Sequence, residues 1–538
     1  MLFKIIATVI YFAILSFLTY SGFKGTKNSS DYLLGGRQIH PAIMALSYGA
    51  TFISTSAIVG FGGNAGLFGM SLLWLTFLNI FVGVFIAFVI FGKRTRKIGH
   101  NLDAHTFPEL LGSRFKSKFI QGFASILIFL IMPVYTAAVM KGGVEFLATN
   151  FKLSYDGTLF FFVLILAVFV SMGGMKGVMY GDAFQAVIMF IGMGILVVFV
   201  YAKLGGISSA NEKLTELWKN SAAVEQMVGK TPAGFQGWTK MPVFDSPLWW
   251  SVVTSIVMGV GIGVLAQPQL AVRFMTVKSN RELNRAVLPG GVFILFMTGA
   301  AFVVGALSNV LFFEKYGNVA VAQAGVSDKI IPTLITDFLP SWFGTVFMLA
   351  LLAAALSTLT SLFHAIGTSF GRDFIEKTLG FKKNTVLITR IGVVIAIVIT
   401  AALAFVAKRV EETDGLIVMG TSIFFGLCGA AFLPTYIGTL YFKGLSRVAA
   451  ISSVVTGAVT SLFWIFFISG KSAKTIGLCL AMTGKDNLLV ETGLAKLSQV
   501  DSVLIALPIS IIVIVVVGLL TRKSVDKEHA DACFAGVK

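Results

Sequence analysis

Thirteen predominantly apolar runs, each long enough or nearly so to cross a bilayer at ~20 residues per crossing, divide the chain into spans at roughly 2–22, 40–68, 71–92, 119–140, 157–173, 180–202, 249–272, 287–313, 333–370, 386–407, 415–442, 448–469 and 502–521. The pattern predicts an all-α integral membrane protein with 13 transmembrane helices. Short charged connections separate most spans, and two long polar segments, 206–248 and 470–500, separate the rest.

Two spans carry polar residues and glycines where a helix would be uniformly apolar. The second reads Ser47-Tyr48-Gly49-Ala50-Thr51-Phe52-Ile53-Ser54-Thr55-Ser56, then Gly60-Phe61-Gly62-Gly63. The seventh reads Gly259-Val260-Gly261-Ile262-Gly263, then Gln267-Pro268-Gln269. Glycine and proline weaken a helix. A pair of interrupted helices at matching positions of two halves is a sequence sign of a transporter binding site. The halves so defined are helices 2–6 and 7–11. Glycines that merely allow close helix packing explain either segment alone equally well; the matched positions favour broken helices.

The ninth span holds a hydroxyl cluster, Ala353-Ala354-Ala355-Leu356-Ser357-Thr358-Leu359-Thr360-Ser361. Hydroxyls far from any loop need partners in hydrocarbon. An unwound second span frees the carbonyls of Ala50 and Ile53. With the Ala354 carbonyl and the hydroxyls of Ser357 and Thr358 they make five neutral oxygens, a set suited to a small, weakly held alkali cation. The competing reading, hydroxyls bonded back to the carbonyl one turn earlier, serves an isolated serine better than four hydroxyls facing a broken helix.

Asp182 is a carboxylate inside the sixth span, one turn from its start. It reads as the partner of a departing cation, as part of a second ion site with Ser357, Thr360 and Ser361, or as a first-turn acid favoured by the helix dipole. Phe52, Ser54, Phe61, Gln267 and Gln269 lie beside the breaks and are the candidate contacts for an organic solute. Trp249 and Trp250 read as interfacial anchors. Arg273 reads as an anchor or gate at the cytoplasmic end of the seventh span.

Composition supports the membrane assignment: 56% of residues are hydrophobic and only 12% charged, against about 25% charged in soluble domains. The net charge of +17 is carried by loops and implies no nucleic-acid partner. Lys93-Arg94-Thr95-Arg96-Lys97 marks a cytoplasmic loop by the positive-inside rule, which places the N-terminus outside and the C-terminus, 522–538, in the cytoplasm of a multi-pass plasma (inner) membrane protein. Lys4 and the apolar run after it lack a small-x-small cleavage site, so this segment reads as a retained first helix. The three cysteines show no paired or metal-ligand spacing. Gly470-Lys471-Ser472 has only the tail of a phosphate-binding loop, position 465 being Ile, so ATP hydrolysis is not expected. No His/Asp/Glu or Cys cluster suggests an enzyme.

Several motifs together resemble the sodium/solute symporter family. They are Ser30-Asp31-Tyr32-Leu33-Leu34-Gly35-Gly36-Arg37, Gly173-Gly174-Met175-Lys176-Gly177-Val178 followed by Asp182 and Gln185, Gln267 to Met275, Ala354 to Thr358, and Tyr441-Phe442-Lys443-Gly444 with Gly457 downstream. The resemblance covers about residues 1–470. It implies the inverted five-helix repeats of the leucine-transporter-like fold, helices 2–6 and 7–11, with helices 2 and 7 broken, and Na+-driven alternating access. The chain then divides into 1–39 (first helix and loop), 40–205 and 249–443 (the repeats), 206–248 (an extracellular loop), 444–521 (two additional helices around an extracellular 470–500) and the tail. The resemblance carries sodium ligation onto Ala50, Ile53, Ala354, Ser357 and Thr358, and in one branch a second sodium onto Asp182, Ser357, Thr360 and Ser361. Proline-transporting relatives have an acid where this chain has Phe52; a neutral, aromatic-lined pocket would suit an anion such as a monocarboxylate. The expected activity is Na+-coupled import of a small organic solute, monocarboxylate or amino-acid-like. The alternatives are a transporter-like sensor, for which the tail is short, and an ion channel, since hydroxyl rings and broken helices also occur in pores.

Overall fold

The computed structural model describes residues 2–381, 384–409 and 416–537, and within them every regular element is a helix. Among the described residues, eleven helices are long and apolar enough to cross a membrane. Lys382 and Lys383, counted among the predicted cytoplasmic loop charges, and Gly415, the predicted start of the eleventh span, lie outside the described residues.

We label the helices used below α1 (Leu2–Lys24), α2 (Pro41–Phe52), α3 (56–68), α4 (73–101), α5 (Lys118–Phe151), α6 (Tyr155–Ser171), α7 (Gly173–Lys203), α8 (Pro247–Ala266), α9 (Asn280–Tyr316), α10 (Ser341–Thr378), α11 (Thr385–Arg409), α12 (Leu416–Tyr441), α13 (Arg447–Ile468) and α14 (Ser502–Leu520). Burial sorts them. In the most apolar stretch of α10 and of α12, 89% of residues are buried, against 17% in α1 and 22% in α14. The hydroxyl-bearing α10 is therefore central, and the first and last helices are peripheral.

Both predicted breaks are present. α2 begins at Pro41, capped by the His40 ring, and ends at Ile53, whose ψ of 91° leaves the helical region. The chain resumes as a helix at Ser56. α8 ends at Ala266; Gln267 is extended (φ −72°, ψ 117°), and Pro268 opens a new short helix, Pro268–Ala271, where its missing N–H is no loss. α2 packs against α7, α9 and α10, so the first break faces the middle of the bundle.

Three connections differ from expectation. The predicted loop between the fifth and sixth spans is helical: α6 and α7 join through a single bend at Gly174 (φ +55°, ψ −173°). A Cβ at Gly174 would lie 2.9 Å from the Tyr32 ring, so the Gly-Gly pair encodes a kink against Tyr32 and not a turn. The predicted helix 333–370 is two pieces, Ile330–Phe338 and α10, divided at Leu339 and Pro340; Pro340 lacks the N–H to continue the first. The 206–248 segment folds into a cap. Its Trp238 is buried, packs on Trp218 and Phe235, and donates from its indole nitrogen to the Gly66 carbonyl at 3.0 Å. The Trp238 backbone presses so closely on Gly69 (φ +77°) that a Cβ there would lie 2.1 Å from the Trp238 carbonyl oxygen.

Candidate ion and solute site

The break in α2 lies against α10. The Ser357 hydroxyl donates to the Ala50 carbonyl at 2.9 Å and approaches the Ala354 carbonyl at 3.3 Å. The Thr358 hydroxyl lies 3.1 Å from the Thr51 carbonyl and 3.4 Å from that of Ala50. Ala50, Ile53, Ala354, Ser357 and Thr358 are all fully buried. Four of the five predicted oxygens thus meet in one dry cluster; the fifth residue, Ile53, is the one at which the helix ends. Neither hydroxyl donates to the carbonyl four residues earlier, the alternative weighed from sequence, although Ser357 also reaches the carbonyl three residues back. Thr360 does: it donates to Leu356 at 2.8 Å and to Ser357 at 3.2 Å.

One turn beyond the cluster lies a buried charge pair. Arg273 and Asp182 are each about 1% exposed, with Nη2 3.0 Å from Oδ2. The same carboxylate oxygen accepts from Ser47 at 2.7 Å and Ser361 at 3.2 Å. The guanidinium also donates to Thr51 and Ser361, both at 2.6 Å, to Ser47 at 3.0 Å, and to the Gln269 carbonyl. Of the two sequence readings of Arg273, anchor or gate, its burial excludes an exposed interfacial anchor. The residues 268–276 turn inward after the break, and Arg273 ties that segment to α2, α7 and α10 at once. The four residues grouped with a second ion separate: Ser361 stands at Asp182, Ser357 at the first cluster, and Thr360 is engaged with its own helix. Asp182 Oδ1 is buried without a hydrogen-bond partner.

The solute candidates also separate. Phe52, Ser54 and Phe61 line one small cavity of about 20 Å³ with Asn79, Tyr135, Thr298, Phe302 and Phe425. None of the residues lining it is charged. Ser56 Oγ and Asn79 Oδ1 are buried here without a protein partner. Gln267 and Gln269 do not reach this space. They bond to each other at 2.8 Å, and Gln269 lines a second narrow cavity, also about 20 Å³, with Arg273, Ser361, His364, Thr368 and His105. A larger cavity of about 290 Å³ lies on the opposite side of the first, under the 206–248 and 470–500 segments. The order follows from three helices together: α3 gives Phe61 to the small cavity and Asn64 and Phe68 to the large one, α8 gives Val260 and then Ser251 and Ser255, and α12 gives Phe425 and then Val418 and Ser422.

Sequence reading missed Asn79, Tyr135, Thr298 and the Arg273–Asp182 pair. A lone Asn in an otherwise apolar run and an Arg just beyond a break were the available signals, since polar groups at membrane depth are functional candidates by default.

A broken helix whose carbonyls meet the hydroxyls of a central helix, and a second broken helix followed by the Arg273 of a buried charge pair, define the class: an ion-coupled membrane transporter. The model of the Sodium:solute symporter family matches residues 32–457, and the chain belongs to that family. It is 27% identical over 473 residues to sodium/proline symporter 2 of Staphylococcus saprophyticus, and 27% identical over 481 residues to a sodium/proline symporter of Staphylococcus aureus, in each case covering 86% of both chains. Its fold is similar to that of a Na+-coupled sialic acid symporter solved in a substrate-bound outward-open state, with a TM-score of 0.71, 17% identity, and 96% of this chain and 97% of that one covered. The protein is thus a multi-pass membrane sodium/solute symporter, a transporter and not an enzyme, for which Na+ is a co-substrate.

Proposed function

We propose that this symporter imports a small organic solute, monocarboxylate or amino-acid-like, by alternating access, with one Na+ held by the carbonyls of Ala50, Ile53 and Ala354 and the hydroxyls of Ser357 and Thr358. The observation that carries the reading is the 2.9 Å approach of the Ser357 hydroxyl to the Ala50 carbonyl freed by the break in α2. Sodium bound there bridges α2 and α10, and so favours the arrangement in which Phe52, Ser54 and Phe61 close around the solute.

The transport unit is two inverted repeats, 40–205 and 249–443, preceded by the first helix and its loop (1–39) and followed by 444–521 and the cytoplasmic tail, 522–538. α2 with α3 is one broken crossing and α8 with the following short helix another, which brings the count to 13. The Lys93–Lys97 run lies in the cytoplasm and the N-terminus outside, so the large cavity opens to the exterior and the Gln269-lined one leads to the cytoplasm. The energy source is adequate: one charge moving down ~100 mV yields ~2.3 kcal/mol, a roughly 45-fold concentration factor.

For a second sodium, Asp182 and Ser361 are already occupied by the Arg273 guanidinium, so a second ion binds only where Arg273 withdraws. The solute follows from the cavity: aromatic walls, hydroxyls and an amide, no charged side chain. Such a site accepts an apolar body and lets the nearby Na+ balance a carboxylate. Relatives named as sodium/proline symporters make proline the first compound to try, and Phe52 argues for a solute without a free ammonium. The experiment is a thermal-shift screen of purified protein against proline, other amino acids and small monocarboxylates, with NaCl and with choline chloride. The reading expects a stabilising compound whose effect needs sodium. A hit equally strong in choline, or solute uptake that proceeds in choline, would refute it.

A further inference from the structure

A groove of about 610 Å³ runs along the outer surface of the bundle between α12 and α14, at the end of the membrane where the Lys93–Lys97 helix and the tail lie. Its walls are Ile437 and Gly438 on one side and Ile511, Val515 and Gly518 on the other. Two glycines face each other across it. Leu445, on the connection after α12, forms the floor between them, 2.3 Å from where a Gly438 Cβ would stand and 3.3 Å from that of Gly518. Because neither helix carries a side chain at that level, Leu445 can sit between them as the base of the groove. Val515 is 53% exposed and Leu519 69%, as expected of a surface meant for hydrocarbon.

Its mouth is cationic. Arg522 follows α14 directly, and the Thr521 hydroxyl, 2.5 Å from that of Ser446, fixes the end of the helix beside the α12–α13 connection. Arg522 makes no ion pair among the described residues, and Lys443, the second cation at the mouth, pairs only with the exposed Asp531 at 3.0 Å. Arg114 anchors this connection from beneath by donating to the Phe442 and Lys443 carbonyls, so the mouth is held in place. An apolar slot at acyl depth ending in basic side chains at the interface is complementary to one kind of molecule.

We infer that this groove is a binding site for an anionic phospholipid, one acyl chain lying between α12 and α14 and the phosphate meeting Arg522 and Lys443. The site goes beyond the transport reading and does not depend on which solute is carried. The occupant is a lipid and not a second protein copy because Arg522, with no ion pair among the described residues, and Lys443, paired only to an exposed carboxylate, give the mouth a charge that repels its own copy across a symmetric interface and attracts a phosphate.

The test is native mass spectrometry of the full chain with dioleoyl phosphatidylglycerol and phosphatidylcholine. At ~1 kcal/mol per basic residue near the surface, Arg522 alone gives roughly a fivefold preference for the anionic lipid. Arg522→Gln should lower that preference about fivefold, Lys523→Gln, outside the groove, should leave it unchanged, and Val515→Trp should remove the tightly held lipid by filling the slot. Thermal unfolding in the zwitterionic lipid, unchanged in all three, checks that each is folded. The inference fails if the two lipids bind alike, if Lys523→Gln matters as much as Arg522→Gln, if Val515→Trp retains the lipid, or if cross-linking at position 515 captures a second copy instead.

Discussion

Breaking the Arg273–Asp182 pair should act on two observables that separate its structural from its gating role. At 3.0 Å, two unit charges attract by about 5 kcal/mol at an effective dielectric near 20, before the opposing desolvation is counted. Removing one partner strands the other, at a cost of about 3–5 kcal/mol, whereas removing both leaves no unpaired buried charge. Arg273→Gln and Asp182→Asn should therefore each lower the melting temperature of the purified protein, and the double variant should recover most of the loss. The second observable is access to the Gln269-lined cavity from the face that the proposed topology makes cytoplasmic. Arg273 clasps the 268–276 segment to Ser47 and Thr51 of α2, Asp182 of α7 and Ser361 of α10, elements that must part for inward opening. If the clasp contributes even 2 kcal/mol to the closed arrangement, its loss shifts the inward-open population about thirtyfold. Thr368, which lines the narrow cavity beside Arg273 and is 5% exposed, reports this through Thr368→Cys. Its maleimide labelling should accelerate in the double variant while sodium-dependent uptake slows. Equal melting of the single and double variants, or unchanged labelling, would refute the reasoning.

Further outcomes follow from other parts of the structure. Gly69→Ala should be poorly folded, because its Cβ would collide with the Trp238 backbone in a left-handed conformation; Gly229→Ala, in open space with a similar φ, should lose far less, as read by size-exclusion yield. Burial alone would raise the Glu109 carboxyl, but hydrogen bonds from His105 and the Arg372 guanidinium, 3.0 Å away, outweigh it and hold Glu109 below the usual carboxylate range. Because the folded value lies below the unfolded one, its contribution is present above the unfolded carboxylate value of ~4.5 and is lost as pH falls below it through the folded value. Glu109→Gln should accordingly melt lower at neutral pH and show a shallower acid slope. Sodium activation of uptake should have a Hill coefficient near one while Arg273 stands at Asp182; a coefficient near two would mean a second ion displaces it.

The fold was legible where a strong physical constraint writes directly into sequence. Bilayer thickness fixes the length of apolar runs, so the spans stood out, and the two breaks stood out because glycine, proline and hydroxyls have few other reasons to cluster at membrane depth. The cluster of Ala50, Ser357 and Thr358 followed from the same reasoning. What escaped were features set by tertiary packing. The Gly173-Gly174 pair looks like a loop until Tyr32 is seen pressed against it. Gln267 and Gln269 border the break, as expected, but the direction of the chain after Pro268 turns them toward each other and away from Phe52. Arg273 looked like an interfacial anchor because its distance from the end of an ideal helix was counted along a helix that stops at Ala266. The lone Asn79 in an apolar run was a signal without an address, and Tyr135 gave none; only the crossing of α4 and α5 with the broken α2 brings them to the small cavity beside Phe52.

The most direct measurement of the sodium assignment is the concentration of Na+ for half-maximal solute uptake in proteoliposomes of Ser357→Ala and Thr358→Ala, with Thr360→Ala alongside. Each of the first two removes one oxygen from the cluster against the Ala50 carbonyl and should raise the sodium requirement about tenfold or more, equivalent to at least ~1.4 kcal/mol, while Thr360→Ala, whose hydroxyl serves only its own helix, should leave it within about twofold. Wild-type sodium dependence in both cluster variants, or a larger shift at Thr360 than at either, would contradict the account.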